Sequence, residues 1–143
     1  MFQKLLFIAL IGMILSVHES SAQVFAVIVN KGNPVNSLTK EEVSKLFLKK
    51  TTQWDNGESV LPVDLSVLSA TRKAFSETLL SKTAAAVRSY WQQQAFSGRG
   101  VPPLQKDNEN AVLKYVQDNP GAIGYISPDV DFAAYKVKIV DVN

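Results

Sequence analysis

The chain contains no cysteine, and its single histidine is His18. Without cysteine there can be no disulfide and no thiol nucleophile. Histidine is the commonest metal ligand and the commonest general base, and His18 lies in a segment that we expect to be removed during secretion. Zinc sites of the His/Cys type and Ser-His-Asp triads are therefore excluded from the mature protein. We expect neither a metal ion nor a cofactor.

The sequence also has little excess charge of either sign. Its 15 basic and 13 acidic residues give a formal net charge of +2. This charge is too small, and too evenly spread along the chain, to indicate nucleic-acid binding. Hydrophobic residues make up 46% of the chain, so a small secreted domain without disulfides can rely on its hydrophobic core.

Residues 1–22 have the features of a secretory signal peptide. Lys4 supplies the positive charge, residues 5–17 form an apolar run, and Ser20, Ser21 and Ala22 are small residues suited to cleavage. The apolar run is shorter than the roughly 20 residues that a membrane-spanning helix needs. We therefore expect cleavage after Ala22 and one domain at 23–143 that is not embedded in the membrane.

Strand and helix patterns alternate along residues 23–143. Short apolar runs predict strands at 24–30, 60–63, 122–127 and 137–142. Periodic apolar residues predict helices that begin near residues 39, 69, 83 and 107 or 108. Thr39 and Glu42 form a capping box, and Pro120 ends the fourth helix. The alternation predicts an α/β fold, with a small mixed sheet flanked by about four helices.

Residue groups that could carry catalysis have unsuitable spacing. Glu41 and Glu42 are adjacent on a helix, so their side chains diverge by about 100°. Asp129 and Asp131 lie in a turn, where such a pair is usually solvated. Ser97 lacks the nucleophile-elbow pattern, and residues 98–100 lack the Gly-Lys-Ser/Thr end of a P-loop. We therefore expect a protein that is not an enzyme.

The start of the second predicted helix is suited to binding an anion. Free backbone N–H groups and the positive end of the helix dipole favour a negative ligand at such a position. Ser69 and Thr71 add hydroxyl groups, and Arg72 and Lys73 add positive charge. The alternative interpretation is an ordinary capped helix whose charged side chains are solvated.

Four stretches of the chain resemble the phosphate-type periplasmic solute-binding proteins of ABC transporters, in the type 2 superfamily. They are residues 38–47, Trp54, residues 97–103 and residues 119–125, and the resemblance runs from about Val27 to Val140. It implies a periplasmic protein with a periplasmic-binding-protein-like α/β domain, in a short form that holds roughly one of the family's two lobes. It also implies binding of phosphate or a similar oxyanion for ABC-type transport or sensing. The implied partners are a membrane transporter or a second copy that supplies the opposing wall.

The ligand loop of the family has the pattern Arg-x-Asp-Gly-Ser-Gly-Thr, with a phenylalanine four residues later. Here Ser69, Ala70, Thr71 and Phe75 match its end, but Leu65 stands at the arginine position and Val67 at the aspartate position. Loss of that arginine removes a charge-assisted contact of about 1.5–3 kcal/mol. The candidate ligand-binding residues are Ser69, Ala70, Thr71, Arg72, Ser97 and Arg99. Arg72 or Arg99 could serve as the replacement cation.

Alternatives to this interpretation stay open. The Ser97–Arg99 segment could be only the end of the third helix, closed by Gly98. The whole domain could be an envelope protein-interaction module whose ligand site has decayed, as Leu65 and Val67 suggest.

Individual positions carry further structural expectations. Lys49 occupies a position where the family often has glycine, so the turn there could differ. Trp54 is expected to pack the connection after the first helix. Gly121 and Gly124 are expected to allow tight packing between the fourth helix and its strand.

Overall fold

The computed structural model of the protein describes residues 24–143, and the expected signal peptide lies outside them. The strands are β1 (Ala26–Asn30), β2 (Ser37–Leu38), β3 (Leu61–Leu65), β4 (Leu104–Lys106), β5 (Ala122–Ile126), β6 (Val137–Ile139) and β7 (Asp141–Val142). The helices are α1 (Lys40–Phe47), α2 (Ala70–Phe75), α3 (Ala84–Phe96) and α4 (Glu109–Asp118), and α2 continues directly into a π-helix (Ser76–Leu80). Within residues 24–143, no helix is both long enough and apolar enough to cross a bilayer.

Five of the strands form a mixed sheet in the order β4-β3-β5-β1-β6. Strand β3 pairs in parallel with β4 and β5, whereas β1 pairs antiparallel with β5 and β6. Strand β5 is buried along its whole length, because helices cover both faces of the sheet. Gly124 faces Val112 and Val116 of α4, and Tyr125, on the opposite face, packs against Phe47 of α1 and Phe75 of α2. The predicted mixed α/β sheet with four helices is confirmed.

Side-chain caps start all four α-helices where the sequence predicts them. The Thr39 hydroxyl accepts from the Glu42 amide (3.1 Å), and the Glu42 carboxylate accepts from the Thr39 amide (2.9 Å), which confirms the capping box. Ser69, Thr83 and Asn108 cap the other three helices without a capping box, because their side-chain oxygens accept from the amides of Arg72, Ala86 and Ala111. Helix α4 ends at Asp118, before Pro120, as predicted.

The structure differs from the sequence predictions in several elements. The edge strand β4 was not predicted, and the strand predicted at 137–142 is two strands in different sheets. The second predicted helix changes to π geometry at Ser76.

The turn after α1 keeps a left-handed conformation although it lacks glycine. Lys49 has φ +55°, in the region that glycine adopts without steric cost. The turn therefore has the backbone form that glycine would favour, and the lysine is strained.

The two glycines near β5 fill different roles. A Cβ at Gly124 would lie 2.9 Å from the Cγ1 atoms of Val112 and Val63, so this glycine does allow close packing of α4 on the strand. A Cβ at Gly121 would instead overlap the Ser59 carbonyl oxygen, so the expectation that Gly121 packs against α4 is wrong. Trp54 donates from Nε1 to the Gly121 carbonyl (2.9 Å). This bond confirms that Trp54 packs the connection that follows α1.

Candidate ligand-binding site

The turn between β3 and α2 presents two backbone amides at a helix N-terminus. The Ser69 amide donates to the Ser66 carbonyl (2.9 Å), and the Ser69 hydroxyl accepts from the Arg72 amide (3.2 Å). The amides of Ala70 and Thr71 make no hydrogen bond to any other residue in the described part of the chain. They lie beyond the carboxyl end of β3, the edge at which open α/β sheets hold their ligands. The turn therefore offers two donors to an anion.

The Thr71 hydroxyl is already engaged. It donates to Glu109 Oε1 (3.3 Å), which also accepts from the Ser127 amide (3.0 Å). Glu109 lies in the first turn of α4, so its carboxylate ties α2, α4 and the end of β5 together. An oxyanion at this turn would consequently be held by the Thr71 amide rather than by its hydroxyl.

Arg72 turns back from α2 toward the end of the sheet. Its Nη1 donates to the Leu65 carbonyl (2.7 Å) and to Gln105 Oε1 (3.1 Å), and its Nη2 lies 3.8 Å from Asp64 Oδ2. The side chain is only 16% exposed. Arg72 therefore links β3 to β4 and places its positive charge at the backbone of Leu65.

Asp64 is the central group of this network and is not among the residues predicted for the site. It is buried, and the Tyr125 hydroxyl donates to its Oδ1 over 2.6 Å. Burial raises the pKa of Asp64, against the opposing effects of Arg72 and of the Tyr125 hydrogen bond. Burial, followed by the Asp64 charge, raises the pKa of Tyr125. The sequence feature that could have pointed to Asp64 is its position as a lone acidic residue inside the apolar run at 60–65.

Ser97 and Arg99 lie at the C-terminus of α3. The Ser97 hydroxyl donates to the Gln93 carbonyl (2.8 Å), and the Arg99 amide donates to the Gln94 carbonyl (2.9 Å). Gly98 has φ +70° and donates to the Ala95 carbonyl (3.1 Å). These bonds form a Schellman motif, which is the closed helix end that was the alternative interpretation of this loop.

The predicted site residues lie on two segments, the turn before α2 and the end of α3. Ser69, Ala70, Thr71 and Arg72 share one turn. Within residues 24–143, neither a hydrogen bond nor an ion pair joins the exposed Arg99 side chain to that turn.

Comparison with known proteins identifies the family to which this architecture belongs. A family model described as a PBP superfamily domain matches residues 22–139. Protein SphX of Synechococcus elongatus is 42% identical over 109 residues, an alignment that covers 69% of this chain and 28% of that protein.

Two solved structures have the same fold and share sequence with this chain. A putative phosphate ABC transporter substrate-binding protein from Clostridium perfringens, with bound phosphate, has a TM-score of 0.64 and 28% identity, over 82% of this chain and 44% of that one. An ABC-type phosphate transport receptor from Vibrio cholerae has a TM-score of 0.64 and 26% identity, over 82% of this chain and 45% of that one. The chain therefore spans less than half the length of each of these relatives.

These matches confirm the resemblance to phosphate-type solute-binding proteins that the sequence motifs indicated. The chain belongs to the PBP superfamily.

Proposed function

We propose that this chain is a periplasmic solute-binding domain that takes phosphate or a similar oxyanion for ABC-type transport or sensing. It acts as a binding protein rather than as an enzyme, and a membrane transporter is its proposed partner. The observation that carries the proposal is the pair of amides of Ala70 and Thr71 at the start of α2, which bond to no other residue of the described range 24–143. Relatives that include a phosphate-bound structure support phosphate as the first ligand to test.

The position of Arg72 supports its role as the replacement cation. The family's arginine position is held here by Leu65, whose side chain is buried. The Arg72 guanidinium nevertheless reaches the Leu65 carbonyl oxygen, so a positive charge stands at the backbone of this position. Because Asp64 balances part of that charge, we expect Arg72 to attract an anion more weakly than an unpaired arginine would.

The affinity that follows from this geometry is modest. Two hydrogen bonds to a charged ligand contribute about 1.5–3 kcal/mol each. Ala70 is exposed and Thr71 is half-buried, so much of the ligand would stay in contact with water. We therefore expect a dissociation constant on the order of 1 mM.

Isothermal titration calorimetry with phosphate tests the proposal when one donor is removed without breaking the helix. Ala70 is the first residue of α2, where proline is tolerated, and Ser69 has the extended backbone (ψ 128°) that proline requires before it. Ala70→Pro removes the amide donor, and we expect affinity to fall roughly tenfold or more. Ala84→Pro makes the same change at the first residue of α3 and should leave phosphate binding unchanged.

Two further results would decide the extent and the existence of the site. If Arg99→Ala also lowers the affinity about tenfold, the Ser97–Arg99 loop belongs to the site as the resemblance implied. If phosphate, sulfate and molybdate all give no saturable heat at millimolar concentration, the oxyanion proposal is wrong. That outcome would favour the protein-interaction module instead.

A further inference from the structure

A groove of about 670 Å³ separates the π-helix from α3. It exists because α3 is held to the domain by few side chains. Val87 and Trp91 are the only buried residues of α3, all of which the structure describes, and the Tyr90 hydroxyl donates one hydrogen bond, to the Leu48 carbonyl (2.8 Å). Val87 and Trp91 also line the groove. The groove has the size of a typical small-molecule site, about 300–1,000 Å³, and a partly apolar wall.

A buried hydroxyl group lines this groove without a partner. Ser76, the first residue of the π-helix, is only 6% exposed. The Ser76 hydroxyl makes no hydrogen bond to another residue in the described part of the chain. Its oxygen is not completely shielded from solvent, and Ser76 lines the groove. Buried side-chain polar groups usually have a hydrogen-bond partner, and π-helical turns occur frequently at functional sites. An unpaired donor at this position points to a ligand that can accept a hydrogen bond.

The charged side chains around the groove favour a negative ligand. Lys73 contributes from α2 and Arg88 from α3, and neither forms an ion pair with a residue in the described part of the chain. Glu77 is the only acidic residue among the described residues that line the groove. Lys73 and Ser76 are three residues apart on one helical segment, and Arg88 and Trp91 are three residues apart on another. A positive group and an apolar or hydroxyl group are therefore neighbours on each wall.

We propose that this groove binds a small organic anion that has an apolar body and one acidic group. The apolar body packs against Val87 and Trp91. The acidic group lies near Lys73 and Arg88 and accepts a hydrogen bond from the Ser76 hydroxyl. Ala70 and Thr71 do not line the groove, although Arg72 does. The two proposed sites therefore use different hydrogen-bond donors and share at most the charge of Arg72.

Calorimetric titration with 2-naphthoate, compared with the uncharged 2-naphthalenemethanol, tests this proposal. We expect saturable binding of naphthoate and at least roughly tenfold weaker binding of the alcohol. Ser76→Ala, which keeps the helix, should weaken naphthoate binding roughly tenfold because it removes a hydrogen bond to a charged group.

A matched pair of alanine variants tests the location. Ala85 lines the groove and the neighbouring Ala86 does not, although both are exposed on α3. Ala85→Trp should abolish naphthoate binding, and Ala86→Trp should leave it unchanged. Three outcomes would overturn the proposal: no binding of naphthoate, equal binding of naphthoate and the alcohol, or full binding of naphthoate by the Ala85→Trp variant. A dimer that Ala85→Trp dissociates would also overturn it and would assign the groove to a second copy.

The two sites can fail independently. Ala70→Pro should leave naphthoate binding unchanged, and Ala85→Trp should leave phosphate binding unchanged. Loss of both ligands in either variant, with the circular dichroism spectrum intact, would contradict the separation of the sites.

Discussion

The buried hydrogen bond between Tyr125 and Asp64 gives a stability prediction whose magnitude follows from the structure. Tyr125→Phe removes only the hydroxyl, because the ring keeps its stacking on Phe75, with centroids 3.9 Å apart. Asp64 Oδ1 then loses the 2.6 Å hydrogen bond that the Tyr125 hydroxyl donates, and the Leu65 amide loses its 3.3 Å hydrogen bond to the Tyr125 hydroxyl oxygen. A hydrogen bond to a charged group contributes about 1.5–3 kcal/mol. We expect the unfolding free energy to fall by about 3 kcal/mol, because the Leu65 amide is left unpaired as well.

Urea unfolding monitored by circular dichroism measures this change, which corresponds to a fall in melting temperature of roughly 10 °C for a domain of this size. Tyr115→Phe is the matched control. Tyr115 is half-buried on α4, and its hydroxyl makes no hydrogen bond to another residue in the described part of the chain, so we expect a change below about 0.5 kcal/mol. Combining Tyr125→Phe with Asp64→Asn should show a coupling of at least about 1 kcal/mol. The reasoning fails if Tyr125→Phe behaves like the control, or if its effect and that of Asp64→Asn are additive.

Three further predictions concern packing, backbone strain and pH. Gly124→Ala should cost about 1–3 kcal/mol in urea unfolding, because its Cβ would lie 2.9 Å from Val112 Cγ1 and Val63 Cγ1; a neutral effect would contradict the close packing. Lys49→Gly should stabilise the protein by about 0.5 kcal/mol in the same assay, because relief of the left-handed strain outweighs the flexibility that glycine adds to the unfolded chain; a loss of stability would contradict this. Burial holds the pKa of Asp64 above its ordinary 3.8, so the folded protein binds this proton more tightly than the unfolded chain does. The unfolding free energy should therefore decrease as pH rises from about 4 through the raised pKa. Urea unfolding across pH should show a smaller decrease for Asp64→Asn. An identical pH dependence in the two proteins would contradict the assignment of this decrease to Asp64.

Local sequence signals were sufficient for the helices and the main strands. Thr39, Ser69, Thr83 and Asn108 are capping residues placed directly before periodic apolar patterns, and each caps its helix in the structure. The buried strand β5 is a continuous apolar run that follows Pro120. In both cases the determining interactions lie within a few residues along the chain.

Features that depend on distant pairing could not be predicted in this way. Strand β4 has three residues, and its Leu104 and Gln105 are exposed, so it gives neither alternation nor an apolar run. It forms because β3 supplies a parallel partner. The apolar pattern around Ser76 is that of an ordinary α-helix, so the sequence does not indicate the π-helix at Ser76–Leu80.

The candidate site was predictable as a position but not as a set of contacts. The Ser69 cap and the following amides came from a local pattern. The roles of Arg72 and Asp64 depend on Gln105 and Tyr125, which lie 33 and 61 residues away along the chain. Tyr125 lies in the strand predicted at 122–127, and an apolar run does not reveal that the Tyr125 hydroxyl bonds to Asp64.

The most direct test of the oxyanion proposal follows individual backbone amides during a phosphate titration by two-dimensional NMR. We expect the Ala70 and Thr71 amide signals to shift most and to saturate together, while the Ala84 and Arg99 amide signals stay in place. A saturating shift centred on other residues, or no saturable shift at Ala70 and Thr71, would contradict it.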